Sequence, residues 1–194
     1  MEQSSTFQWR PDSALLVIDV QVGVVADGHD PDGVVQRISE LIRHANQHAV
    51  PVIYVQHEEP DYPEMAAGST GWQLRPEIAP HDGEPVIAKR YPDAFADTEL
   101  RPTLDAVQAQ HLVIVGAQSD ACIRATTYRA MIDGYDVTLV SDAHTTTDRE
   151  FEGITIPAAQ IVAHVNAATP WILYPGRAPQ LVHTADIVGV PATI

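Results

Sequence analysis

The chain has 194 residues, 26 acidic against 11 basic, for a formal charge of −15, and 45% of its residues are hydrophobic. That length and apolar fraction suit one body with its own core and exclude wholesale disorder, and no apolar run approaches the roughly 20 residues needed to cross a bilayer. So acidic a chain repels phosphate polymers and anionic lipid, which argues against nucleic acid and membrane surfaces as partners.

In chain order, ALLVID (residues 14–19) predicts a strand buried on both faces and closed by Asp19. Residues 31–48 place Val34, Ile38, Leu41, Ile42 and Ala45 at helical spacing. A second strand is expected over residues 50–55, and a short apolar piece, residues 86–88, runs into Lys89. Leu100, Leu104 and Val107 mark a helix over residues 98–108, followed by a strand at 111–115. A third helix is expected over residues 120–132 with Gly134 as its cap, then the strand DVTLV (136–140) and a helix over 157–167 with proline in its first turn. Strands without polar alternation, separated by helices, imply a parallel sheet covered on both sides. The expected fold class is therefore α/β, a three-layer α/β/α doubly wound arrangement with about six mostly parallel strands. It reads as a single domain over residues 1–194, with a core over about 12–188. Residues 1–10 (MEQSSTFQWR) lack the basic start and apolar stretch of a signal peptide, which reads as a cytoplasmic protein.

In such sheets ligands bind beyond the carboxyl ends of the strands, where strand order reverses. Asp19, Lys89 and Cys122 all fall on that rim. Cys122 is the only cysteine, which excludes an internal disulfide and a multi-cysteine zinc site, and Lys89 is the only lysine. In GAQSDACIRAT (residues 116–126) the strand ends at a glycine and the chain enters a helix whose first turn holds Cys122. A thiol there feels the helix dipole and unpaired N–H groups, which stabilise a thiolate, and the same N–H groups can hold an oxyanion. The alternative is a buried cysteine that only packs. Asp19 reads either as a turn-anchoring acid or as a general base with its charge disfavoured by burial. Lys89 reads either as a solvated lysine or as a point charge beside the thiol, with Arg90 the surface charge. Gly, Trp72 and polar residues in GSTGWQLRP (68–76) form a candidate substrate wall, with Trp72 alternatively a subunit-interface residue. Gln21 is a candidate substrate hydrogen-bonder or turn residue, and Trp171 and Tyr174 read as core or interface.

An acid, a lysine and a cysteine at three strand ends resemble the isochorismatase-like cysteine hydrolases. LLVIDVQ resembles their opening strand, AKRYPDAFADTEL their lysine segment and GAQSDACIRAT their nucleophile turn; GYDVTLVSDAHTT and IVAHVNA continue the resemblance. The resemblance implies Asp19 as base, Lys89 as charge stabiliser and Cys122 as nucleophile. It also implies a cis peptide between Ala117 and Gln118, with the N–H groups of Gln118 and Cys122 as oxyanion hole. The implied reaction is hydrolysis of a C–N bond of a small-molecule amide through a thioester, without cofactor, in a homodimer or homotetramer. The alternatives are an enol-ether hydrolase of the isochorismatase type, or a non-catalytic thiol-sensing or binding protein. The nicotinamidase branch holds zinc through an Asp-x-His pair. Here YVQHEEPDYPEM (54–65) lacks that pair, leaving His57 and Asp61 as two potential ligands and a metal-free expectation. Of the nine histidines, His44, His48, His81 and His111 read as solvated, with His144 and His164 open.

Overall fold

Every residue of β1 (Ser13–Ile18) is buried, because alternate side chains of the strand enter two separate cores. Ala14, Leu16 and Ile18 belong to one, Leu15 and Val17 to the other. The computed structural model describes residues 7–189. After β1 come the short helix α1 (Val22–Val25), helix α2 (Pro31–Gln47), β2 (Val52–His57) and β3 (Val86–Lys89). Helix α3 (Leu100–Ala106), β4 (His111–Ala117), a π-helical turn (Ser119–Ile123), α4 (Arg124–Asp133) and β5 (Asp136–Thr145) follow. The chain continues through the hairpin β6 (Arg149–Phe151) and β7 (Ile154–Ile156), then α5 (Ala158–Ala168), β8 (Gln180–Val182) and α6 (Thr184–Val188).

Six strands form a sheet in the order β3-β2-β1-β4-β5-β8, and every neighbouring pair is parallel. Helix α2 buries Val34, Val35, Ile38, Leu41, Ile42 and Ala45 against the face carrying Leu15 and Val17, where Ile187 of α6 joins them. Full burial of side chains of this size stabilises by about 1.5–3 kcal/mol each. Helices α3, α4 and α5 cover the opposite face through Leu100, Leu104, Ala130, Met131 and Val165. The result is the three-layer α/β/α arrangement expected from the sequence. The chain winds outward from β1 to β3 and returns on the other side of β1 as β4, so strand order reverses between β1 and β4.

Several elements differ from the sequence expectation. Strand β5 runs to Thr145 because SDAHT, too polar to read as a strand, pairs with the end of β4 after a register shift between Ile114 and Gly116. The third helix begins as the π-turn and becomes α-helical only at Arg124, closing at Gly134 with φ 101°. Strand β8 and the β6–β7 hairpin, three residues per strand, are too short to carry a periodic signal. His111 is buried rather than solvated: its ring bridges Ser13 Oγ and Thr138 Oγ1, each at 2.8 Å.

Candidate active site

Asp19 lies immediately after β1, Lys89 is the last residue of β3, and Cys122 sits in the π-turn after β4. The three side chains meet at the switch point. Lys89 Nζ is 2.7 Å from Asp19 Oδ2 and 3.3 Å from Cys122 Sγ. Asp19 and Lys89 are 1% and 2% exposed, while Cys122 is half-buried and so reachable from solvent. Asp19 Oδ1 is buried and has no hydrogen-bond partner among the described residues. It is the carboxylate oxygen left free for a proton. The lysine comes from the sheet edge, two strands from β1, and its long flexible stem carries the ammonium towards Asp19, whose side chain meets it in the buried cluster.

Gly116 makes this convergence possible. Its φ is +124°, and a Cβ there would stand 1.9 Å from the Ile18 carbonyl oxygen, far inside contact distance. With no side chain, β4 closes on the end of β1 and brings the turn that holds Cys122 beside Asp19. The Ala117–Gln118 peptide bond is cis. The side chains of that turn are held from β5 and the base of the hairpin, a feature the sequence reading missed. Arg149 donates to Gln118 Oε1 at 2.6 Å and to Asp120 Oδ2 at 3.0 Å, and Thr146 Oγ1 donates to Asp120 Oδ1 at 2.5 Å. Ser119 Oγ bonds His144 Nδ1 at 2.7 Å, and His144 Nε2 bonds Asn166 Oδ1 at 2.9 Å. Burial holds the His144 imidazole below its ordinary pKa. The only sequence signal was an unusual density of polar residues in DAHTTTDR.

Burial pushes the Asp19 carboxyl up from the ordinary aspartate range, opposed by the charge of the Lys89 ammonium and by its hydrogen bond to the carboxylate. The Cys122 thiol is pushed up to about 12, by burial first and the Asp19 carboxylate second, with Lys89 opposing. This corrects the expectation of a thiolate stabilised at a helix start. Loss of solvent and a neighbouring negative charge outweigh the local dipole, so the resting sulfur keeps its proton.

Gln21 is not free for substrate. Its side chain is fully buried; Nε2 donates to the carbonyls of His57 and Trp72 at 2.8 and 2.7 Å, and Oε1 accepts from His57 N at 2.8 Å. It ties the end of β2 to the following loop, with Gln56 Nε2 donating to the same Trp72 carbonyl at 2.8 Å. Trp72 is half-buried, and its indole Nε1 has no hydrogen-bond partner among the described residues. His57 does not start a metal site. Its Nδ1 lies 3.2 Å from Lys89 Nζ, and its Nε2 is 3.2 Å from Glu59 Oε1. Asp61 is exposed, and the described residues contain no group of three metal-ligating side chains. A ring nitrogen facing an ammonium is poorly placed to bind a cation, so the residues present do not fit the zinc of the nicotinamidase branch.

A doubly wound parallel sheet with an acid, an ammonium and a thiol gathered at its switch point defines the class of protein. The chain belongs to the isochorismatase family, whose isochorismatase domain matches residues 13–168. It is 34% identical over 156 residues to a streptothricin hydrolase of Streptomyces noursei, a match covering 77% of this chain and 62% of that protein. A shorter stretch of 65 residues is 37% identical to maleamate amidohydrolase of Pseudomonas putida, covering 34% of this chain and 30% of that one. A solved isochorismatase of Pseudomonas putida superposes with a TM-score of 0.78 at 29% identity, covering 91% of this chain and 90% of the other.

Proposed function

We propose that the protein is a cysteine hydrolase that cleaves a C–N bond of a small amide through a thioester. The observation that carries this reading is the single buried cluster in which Lys89 contacts both the Asp19 carboxylate and the Cys122 sulfur. The names of the relatives, a hydrolase and an amidohydrolase, support it.

In the first half-reaction Asp19 takes the thiol proton as Sγ attacks the carboxamide carbon. Both groups have raised pKa values, so the thiol meets a stronger base than an ordinary aspartate. The oxyanion is received by the N–H groups of Gln118 and Cys122 in the turn that Arg149 holds from behind. Asp19 returns the proton to the nitrogen as the C–N bond breaks, and the amine leaves a thioester on Cys122. Water then attacks, giving a proton to Asp19; the C–S bond breaks, the proton returns to sulfur, and the acid departs. Lys89 keeps Asp19 charged between steps and offsets negative charge on sulfur as it leaves. Trp72, held in the loop after β2 by the hydrogen bonds of Gln21 and Gln56 to its carbonyl, is the candidate substrate wall. A thiol sensor is disfavoured because sensing cysteines depend on a depressed pKa, whereas this one is raised.

The active form is an oligomer of the same chain. Residues 154–176 contain no aspartate, glutamate, lysine or arginine, in a protein whose net charge of −15 makes copies repel elsewhere. Trp171, Leu173 and Ile154 in that segment are 82%, 67% and 64% exposed. Exposed apolar side chains in a segment without charge suit a second copy.

The test is incubation with a panel of small amides that includes streptothricin and maleamate, followed by ammonia or amine detection and intact-mass analysis. Wild type gives product and an acyl adduct on its only thiol; Cys122→Ala gives neither. Turnover by Cys122→Ala at the wild-type rate overturns the thioester route.

A further inference from the structure

We infer that His57, oriented by Glu59, is a positioning residue for the catalytic cation. It takes the one N–H of Lys89 that Asp19 and Cys122 leave unused, and so fixes the other two on carboxylate and sulfur. The inference rests on the amide-hydrolase reading for the use made of Lys89, but its geometry stands apart from any substrate.

An ammonium has three N–H donors and no acceptor. Around Lys89 Nζ stand Asp19 Oδ2 at 2.7 Å, Cys122 Sγ at 3.3 Å and His57 Nδ1 at 3.2 Å. All three donors are matched. Because the lysine only donates, His57 Nδ1 carries no proton, and the ring is the Nε2–H tautomer. Glu59 Oε1, 3.2 Å from Nε2, is the acceptor for that proton. The Asp19 carboxylate also lies near enough to feel the ring; Glu58 beside it is paired with Arg90 at 2.8 Å. His57 is itself held. The parallel register sets it opposite Lys89, and the buried Gln21 carboxamide bonds both its backbone N–H and its carbonyl. Without the third acceptor one N–H of the buried ammonium is left unpaired, which is costly, and the ammonium shifts to re-pair it at the expense of the weaker bond to sulfur. This gives Gln21 and Glu59 a shared purpose that neither substrate binding nor metal binding supplied.

Two measurements test the inference, and neither needs turnover. In protein labelled with 15N-histidine, with the His57 signals assigned by their loss in His57→Asn, wild type shows Nδ1 unprotonated and Nε2 protonated. In Lys89→Met that preference is lost. The second measurement is the rate of Cys122 alkylation by iodoacetamide at fixed pH, followed by mass spectrometry with circular dichroism as the check on folding. His57→Leu slows alkylation about tenfold, as expected for loss of a hydrogen bond to a charged group. His57→Asn, whose Oδ1 can accept where Nδ1 does, stays within about threefold of wild type. A merely structural role for His57 predicts the opposite, with both variants loosening the site and speeding alkylation. A protonated Nδ1 in wild type, or equal rates for His57→Leu and wild type, overturns the inference. A protein that hydrolyses no amide in the panel but keeps this tautomer and this pattern of rates loses the reaction and retains the positioning role.

Discussion

At the scale of single residues, Asp19 answers two opposed demands. Burial favours its protonated form while the ammonium at 2.7 Å favours its charge, and a base must be ionised to act. Since burial raises its pKa, activity falls as pH drops through a value above the ordinary aspartate range, and a kcat/KM profile reads that limb directly. Asp19→Asn removes the proposed base and is expected to lower kcat by roughly 10²–10⁴; ammonia release from the substrate found in the panel measures it. The thiol leaves a separate mark on stability. Its pKa is raised in the folded chain from 9.0 to about 12, so the folded state holds that proton more tightly than the unfolded state. The stabilisation is complete below pH 9 and is lost as pH rises through 12. Urea unfolding across that window is expected to show wild type losing more stability than Cys122→Ala.

At the scale of elements, the end of β4 is where a small change does most damage. Gly116→Ala places a Cβ 1.9 Å from the Ile18 carbonyl at a φ of +124°, and backbone cannot move aside as a side chain can. The expected cost is at least the ~1–3 kcal/mol of overpacking a core, seen as a lower midpoint in denaturant unfolding together with lost turnover. The hairpin base makes a subtler contribution. Arg149→Met removes the bonds to Gln118 and Asp120 from a residue that is partly exposed. Stability is expected to shift by roughly 1 kcal/mol and kcat to fall by about tenfold, since the turn keeps its chain path but loses its fixed orientation. Parallel measurement of unfolding and turnover separates the two effects.

At the scale of the whole molecule, a chain with a net charge of −15 has its longest stretch without acids or bases, apart from a histidine, at residues 153–176, around α5. Trp171→Glu places charge at a position 82% exposed. It is expected to convert the proposed oligomer to monomer in light scattering coupled to gel filtration, with the folded far-UV spectrum unchanged because that side chain is largely outside the core. A wild-type chain that runs as a monomer at working concentration removes the proposed interface. Among the described residues no helix is long and apolar enough to cross a membrane.

The layers and the rim were legible in the amino-acid order because they follow from local pattern. Buried parallel strands are apolar throughout, α2 repeats its apolar residues at 3.6-residue spacing, and Asp19, Lys89 and Cys122 each punctuate a strand end. Tertiary structure alone decided how those side chains share protons and hydrogen bonds. Gln21, which looked available to a ligand, is consumed by the backbone of His57 and Trp72. His57, which looked like half of a metal pair, faces an ammonium; Cys122, placed where a helix start favours thiolate, is held as a thiol by burial and a neighbouring carboxylate. Arg149 and His144 showed only as part of a polar run, with no local sign that they reach the turn of Cys122. The reason is physical: periodicity reports which side of an element is dry, whereas pKa and hydrogen-bond partnership depend on distances of about 3 Å between groups tens of residues apart, which only the packed chain sets.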